Sequence, residues 1–139
     1  MHAMPILTDY LAAAKRHHAD GNSLASSHPP LADHILGIAA ECALKAILVH
    51  LNFPLDKYGN LKFVKQLNAG RGHLPGFLAE FRILQGNPYV QDLPQPVQGQ
   101  PDLFSEWSIH DRYSDASHID AARIQRHQQD HIPYPHSNS

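Results

Sequence analysis

Residues 29–52 read PPLADHILGIAAECALKAILVHLN, and the fold class turns on that stretch. Two prolines open it, where a missing N–H and a fixed φ suit the first turn of a helix. Leu31, Ile35, Ile38, Ala39, Cys42, Leu44, Ala46, Ile47, Leu48 and Leu51 then leave only a narrow polar side. A helix apolar around most of its circumference is covered by neighbours on several sides, so this one is the core element of a helical domain. Ser27 is its expected cap and Asn52 its approximate end. Gly37, Ala39, Ala40 and Ala43 are small enough to admit another helix closely. Gly37 costs about 1 kcal/mol of helix propensity relative to alanine, which close packing offsets. Glu41 stands four residues before Lys45, a pairing worth only ~0.2–0.5 kcal/mol on a helix surface. On so apolar a helix an inward-facing Glu41 needs a cationic partner, and Arg112 is the candidate, making Glu41 a structural anchor.

Working outward, Pro5 to Asp20 reads as a first helix, with Leu7, Leu11 and Ala14 as its apolar stripe and Gly21 as its stop. After the core helix, residues 53–72 form a long connection, within which residues 61–67 suit a short helix. His73 to Gln85 carries Leu74, Phe77, Leu78, Phe81 and Leu84 at helical spacing, with Pro75 in its first turn. Residues 87–103 hold four prolines and four glutamines and read as a loop, of a length that is usually functional or mobile. A last helix is expected from Asp115, its cap, to about Asp130. No alternating strand pattern and no internal repeat is present. The expectation is an all-α, up-and-down bundle of four to five helices with a long proline-rich loop before the last. Residues 1–131 form one domain and residues 132–139 a flexible tail.

Eleven Lys and Arg against thirteen Asp and Glu leave a formal charge of −2, which removes any global pull toward nucleic acid. A phosphate partner must then be held locally. No apolar run reaches the ~18 residues of a membrane span, and the N-terminus lacks the pattern of a signal peptide; a cytoplasmic protein with no membrane partner is expected. The single Cys42 excludes an intrachain disulfide and a cysteine-based zinc site. Twelve histidines are scattered along the chain. His127 and His131, four apart, would share a helical face, but two histidines do not make a metal site, and neither a metal nor a cofactor is expected.

The segment AAECALKAIL, residues 39–48, resembles the second helix of HEPN-domain proteins. His73 and Leu74, opening an apolar helix after a connector, fit the next step of that family. WSIHDRYSDASH, residues 107–118, resembles the arginine–tyrosine segment that precedes the final helix in many members. The resemblance covers roughly Thr8 to His131. It implies a helical bundle, commonly a homodimer, in a family that includes nucleotide-binding partners of small nucleotidyltransferases and RNA-cleaving toxins of toxin–antitoxin systems. Cleaving members carry an arginine, a usually polar residue, three to five others and then a histidine. Arg112 and His118 match that spacing, but Tyr113 stands where Asn, Asp or His is typical, a departure toward members that bind without cutting.

Two readings of this segment follow. In the first, a binding or regulatory module recognises a nucleotide or RNA through Arg112, Tyr113 and Trp107. Tyr113 and Trp107 would stack on a base, a contact worth about 1–3 kcal/mol; alternatively they plug the end of the bundle, the reading favoured for Trp107. In the second, a metal-independent endoribonuclease uses Arg112 to hold the scissile phosphate and His118 to move the proton of a ribose 2′-hydroxyl. On one continuous helix, six residues turn through about 600°, so the two side chains would diverge by ~120°. They converge only if Arg112 precedes the helix or a second subunit completes the site. The plainer alternative pairs Arg112 with Glu41, Glu106 or Asp111 and leaves His118 exposed. A third reading makes the proline-rich loop a docking surface for a partner protein.

Overall fold

The computed structural model describes residues 7–50, 52–61, 104, 106–130 and 132, with the side chain of Arg112 excepted. The expected helices at 61–67 and 73–85 and the proline-rich loop at 87–103 fall outside these residues, apart from Leu61. Among the described residues there are three α-helices and one 3-10 turn, with no strand beyond an isolated bridge between Leu55 and Leu61. The helices are α1 (Tyr10–Leu24), α2 (Pro29–His50) and α3 (Ala121–Gln129); the 3-10 turn spans Ile109–Tyr113. No helix of the described residues is long and apolar enough to cross a membrane.

α1 starts later and ends later than its apolar stripe predicts. Asp9 is the cap, its carboxylate accepting from the Ala12 amide at 3.0 Å, the arrangement an N-cap requires. Gly21 does not stop the helix. It lies buried within it, and a Cβ there would meet Leu36 Cγ at 2.8 Å. The Leu36 side chain rests on the α1 backbone at this crossing, and that burial outweighs the ~1 kcal/mol propensity cost of glycine. Ser27 closes the end of α1, its amide donating to Leu24, rather than capping α2. His28 directly precedes α2 and its carbonyl accepts from Ala32 at 2.9 Å.

α2 is the core helix its sequence describes. Ala32, Leu36, Ala39, Ala40, Ala43, Leu44, Ala46, Ile47 and Leu48 are all buried. Leu36, Leu44 and Leu48 are fully enclosed, each contributing roughly 1.5–3 kcal/mol relative to exposure. Glu41 is also buried. The small residue at Gly37 admits an indole rather than a helix: a Cβ there would lie 1.9 Å from Trp107 Cε2. Residues 52–61 form a tight excursion in which the Asp56 carboxylate accepts from the Tyr58 and Asn60 amides. Gly59 takes a φ of +85° there, against the Thr8 backbone. The Thr8 amide donates to the Tyr58 carbonyl, and Tyr10 Oη accepts from Leu61, tying the excursion to the start of α1.

α3 begins at Ala121, not near Asp115. Asp115 instead accepts from Ser117 N and Oγ two residues on, a local turn that competes with helix. Ala116 follows in the left-handed region at φ +65°. The cap is Asp120, which accepts from the Arg123 amide at 2.8 Å. Ile132 is buried in the main core together with Phe104, Trp107 and Ile124; the rest of the expected tail, residues 133–139, lies outside the described residues.

Candidate functional site

Local chemistry builds the turn that carries Arg112. The Ser108 hydroxyl accepts from the His110 amide while the Asp111 carboxylate accepts from the Ser108 amide, a reciprocal capping box that starts the 3-10 turn. Ser114 ends it, donating through Oγ to the Asp111 carbonyl and accepting from the Ala116 amide. The tight turns at 114–119 then fold the chain back, and His118 Nε2 reaches Asp111 Oδ1 at 3.1 Å. Arg112 therefore precedes the last helix, and His118 returns beside the residue next to it. The two residues do not share one continuous helix.

Beneath the turn runs a chain of alternating acidic and basic side chains. Arg123 donates from Nη2 to Asp111 Oδ2 at 2.6 Å and from Nε to Asp33 Oδ2 at 3.1 Å. Asp33 Oδ1 accepts from His127 Nδ1, and His127 Nε2 lies 3.7 Å from Glu106 Oε1. Glu106 in turn receives a two-pronged contact from Arg126, at 2.8 and 3.0 Å. The order is His118, Asp111, Arg123, Asp33, His127, Glu106, Arg126. Both ends reach solvent, whereas Asp33, Arg123 and His127 are buried. Arg123 and His127 face Asp33 together because they stand four apart on α3. Burying three ionisable groups is tolerable only because each one is paired.

The same packing holds Trp107. Its Nε1 donates to the Asp33 carbonyl at 3.0 Å, its ring lies over Gly37, and His34 stacks with it at 5.9 Å between centroids. Phe104 stacks on His127 at 4.6 Å. Electrostatics follow the contacts. Burial pushes the Asp111 carboxyl up, but hydrogen bonds from Arg123 and His118, with the Arg123 charge and the Ser108 amide, outweigh it and hold the group below its ordinary range. The Arg126 hydrogen bond holds Glu106 low as well. Burial pushes the Cys42 thiol up, away from the thiolate that reactivity requires.

The residues marked out by sequence separate as follows. Tyr113 is 76 % exposed and His118 about half-exposed, on the turn and just beyond it. Trp107 is 1 % exposed, so its ring has no face for a base; packing, not ligand binding, is its role. Arg112 lies in the 3-10 turn, and its side chain, with any contact to Glu41, is outside the described residues. Of its other candidate partners, Glu106 is paired with Arg126, and Asp111 with Arg123 and His118. His127 faces Asp33 in the core instead of sharing a solvent-side metal with His131, which is outside the described residues. Among the described residues no group of three or more His, Cys, Asp or Glu is placed to hold a metal ion.

Sequence reasoning passed over Asp33 and Arg123. The available signal was a lone aspartate in the early turns of an apolar helix, open to the argument applied to Glu41. Its partner lies 90 residues away, and no local pattern points there.

A cleft of about 230 Å³ opens beside the turn, lined by Pro30, Leu31 and His34 of α2 and by Asp111, Ser114 and Ala116. The arrangement offers an exposed aromatic ring, an imidazole oriented by a carboxylate, and a small open cavity against the start of the core helix. Compared with protein-family models, curated proteins and solved structures, the chain matches none of them.

Proposed function

We propose that this chain is a HEPN-like helical module, built as an up-and-down bundle of four to five helices, that binds a nucleotide or RNA through Arg112 and Tyr113. One observation carries the reading. The turn bearing both residues is fastened to the core helix through Asp111, Arg123 and Asp33, yet it presents Tyr113 to solvent beside an open cleft. A recognition element gains affinity when its geometry is set before the ligand arrives. An exposed tyrosine on such an element is suited to stacking on a base.

Titration calorimetry with AMP, ATP and a short single-stranded RNA tests this reading. Binding is expected in the millimolar range or tighter. Tyr113→Ala should weaken it by about 1–3 kcal/mol, the worth of one stacked base. No binding to any of the three at millimolar ligand would end the proposal. Dimerisation and a nucleotidyltransferase partner belong to the same reading, and a monomer by sedimentation at high concentration would remove the dimer.

A second reading, an endoribonuclease using Arg112 and His118, rests on the Asp111–His118 hydrogen bond. An ionised carboxylate only accepts, so His118 Nε2 carries the proton and Nδ1 keeps the lone pair that would take the 2′-hydroxyl proton. Wild-type expression should then be toxic to the host, and Arg112→Ala or His118→Ala should relieve it. Harmless accumulation of the folded wild type would count against cleavage.

A further inference from the structure

We infer that the cleft between the start of α2 and the 109–116 turn is a subsite for the uncharged base of the ligand, and that it turns the phosphates away. The inference rests on the nucleotide reading above and narrows it to one part of the ligand. At about 230 Å³ the cleft is smaller than the ~300–1,000 Å³ of sites for drug-sized molecules. It suits one heterocycle or a nucleoside. Pro30, Leu31 and Ala116 give it apolar walls, and stacking on the buried Trp107 ring keeps the His34 wall flat.

The donors and acceptors lining the cleft decide which end of a nucleotide enters. The start of a helix ordinarily offers several free amides to a phosphate. Here Pro29 and Pro30 have none to offer, and the Ala32 amide donates to the His28 carbonyl. That leaves the Leu31 amide as the donor of the first turn. Across the cleft stands Asp111, whose ionised carboxylate only accepts and so offers a phosphate oxygen no donor.

The same carboxylate suits a base that presents an N–H. Its two oxygens have about four lone-pair sites, and among the described residues three donors reach them, from His118, Arg123 and Ser108. One further donor is accommodated, as from the exocyclic amine of adenine or cytosine. Tyr113, directly before the lining Ser114, and His118, bonded to the lining Asp111, are both exposed, and would meet the ribose and phosphate outside the cleft.

The test uses the full-length chain and three probes, adenosine, AMP and ribose 5-phosphate, followed by calorimetry and by amide chemical shifts. Adenosine is expected to bind within about tenfold of AMP, with the largest shifts at Leu31, His34 and Ser114. Leu31 is half-exposed, so Leu31→Trp, which fills the cleft, should weaken adenosine and AMP by about tenfold or more. It should leave ribose 5-phosphate unchanged. Leu31→Ala, which removes a wall, is the second variant and should weaken adenosine in the same direction. If AMP and ribose 5-phosphate bind alike while adenosine does not, the base subsite is wrong and the nucleotide reading stands. RNA binding indifferent to both Leu31 variants also overturns the subsite alone. Failure of every probe and of RNA overturns both.

Discussion

Replacing Asp33 by alanine leaves the Arg123 guanidinium and the His127 imidazole buried without the carboxylate that both contact. Breaking a buried ion pair by removing one partner typically costs ~3–5 kcal/mol; Asp111 still pairs with Arg123, which places the expected loss at the lower end of that range. The alanine regains a few tenths of a kcal/mol in helix propensity, too little to alter the sign. Against a usual domain stability of about 5–15 kcal/mol, a loss of this size is readily measured. Asp33→Asn keeps the shape and one carbonyl acceptor, so it should cost less, about 1–3 kcal/mol. Urea denaturation reports the change directly, since Trp107 is the single tryptophan and is buried against the Asp33 carbonyl. A double-mutant cycle of Asp33→Ala with Arg123→Met should show a coupling energy of ~0.5–3 kcal/mol, because the two side chains are in direct contact. An Asp33→Ala loss below about 1 kcal/mol, or strict additivity in the cycle, would refute the claim that these groups hold α3 and the turn to the core helix.

Gly37→Ala should destabilise by about 1–3 kcal/mol or more despite a propensity gain near 1 kcal/mol, since its Cβ would fall 1.9 Å from the Trp107 ring; a rise in melting temperature would contradict that packing. Asp120→Ala removes the α3 cap and should cost roughly 1 kcal/mol in the same denaturation assay. Acid should destabilise the wild type through Asp111, whose carboxyl is held below its ordinary range. The unfolded chain binds the proton first, so this stabilisation is complete above the usual carboxylate value near 4 and is lost as pH falls through the lower folded value. Melting curves of Asp111→Asn should show a flatter decline over that interval; Glu106 contributes less because solvent screens its exposed pair with Arg126.

The 29–52 stretch was legible as sequence because its message is local. An apolar circumference, prolines at the start and an acid at position 41 all act within one helix, and α2 adopts the predicted span to within two residues. The helical class follows from the same periodicity. Helix ends proved less legible where two signals of equal local strength compete. Gly21 reads as a stop until Leu36 packs against it, and Asp115 reads as a cap until Ser117 claims its carboxylate and Asp120 takes the position five residues later.

The sequence by itself determined that the core is a buried helix and that an arginine–tyrosine turn precedes the last one. Only the tertiary structure decided what lies between them. Asp33 and Arg123 are 90 residues apart and Trp107 and Asp33 are 74 apart, and neither local propensity nor spacing encodes such pairings. They depend on which faces meet once the helices pack. There the low dielectric makes an unpaired polar group costly enough to select its partner.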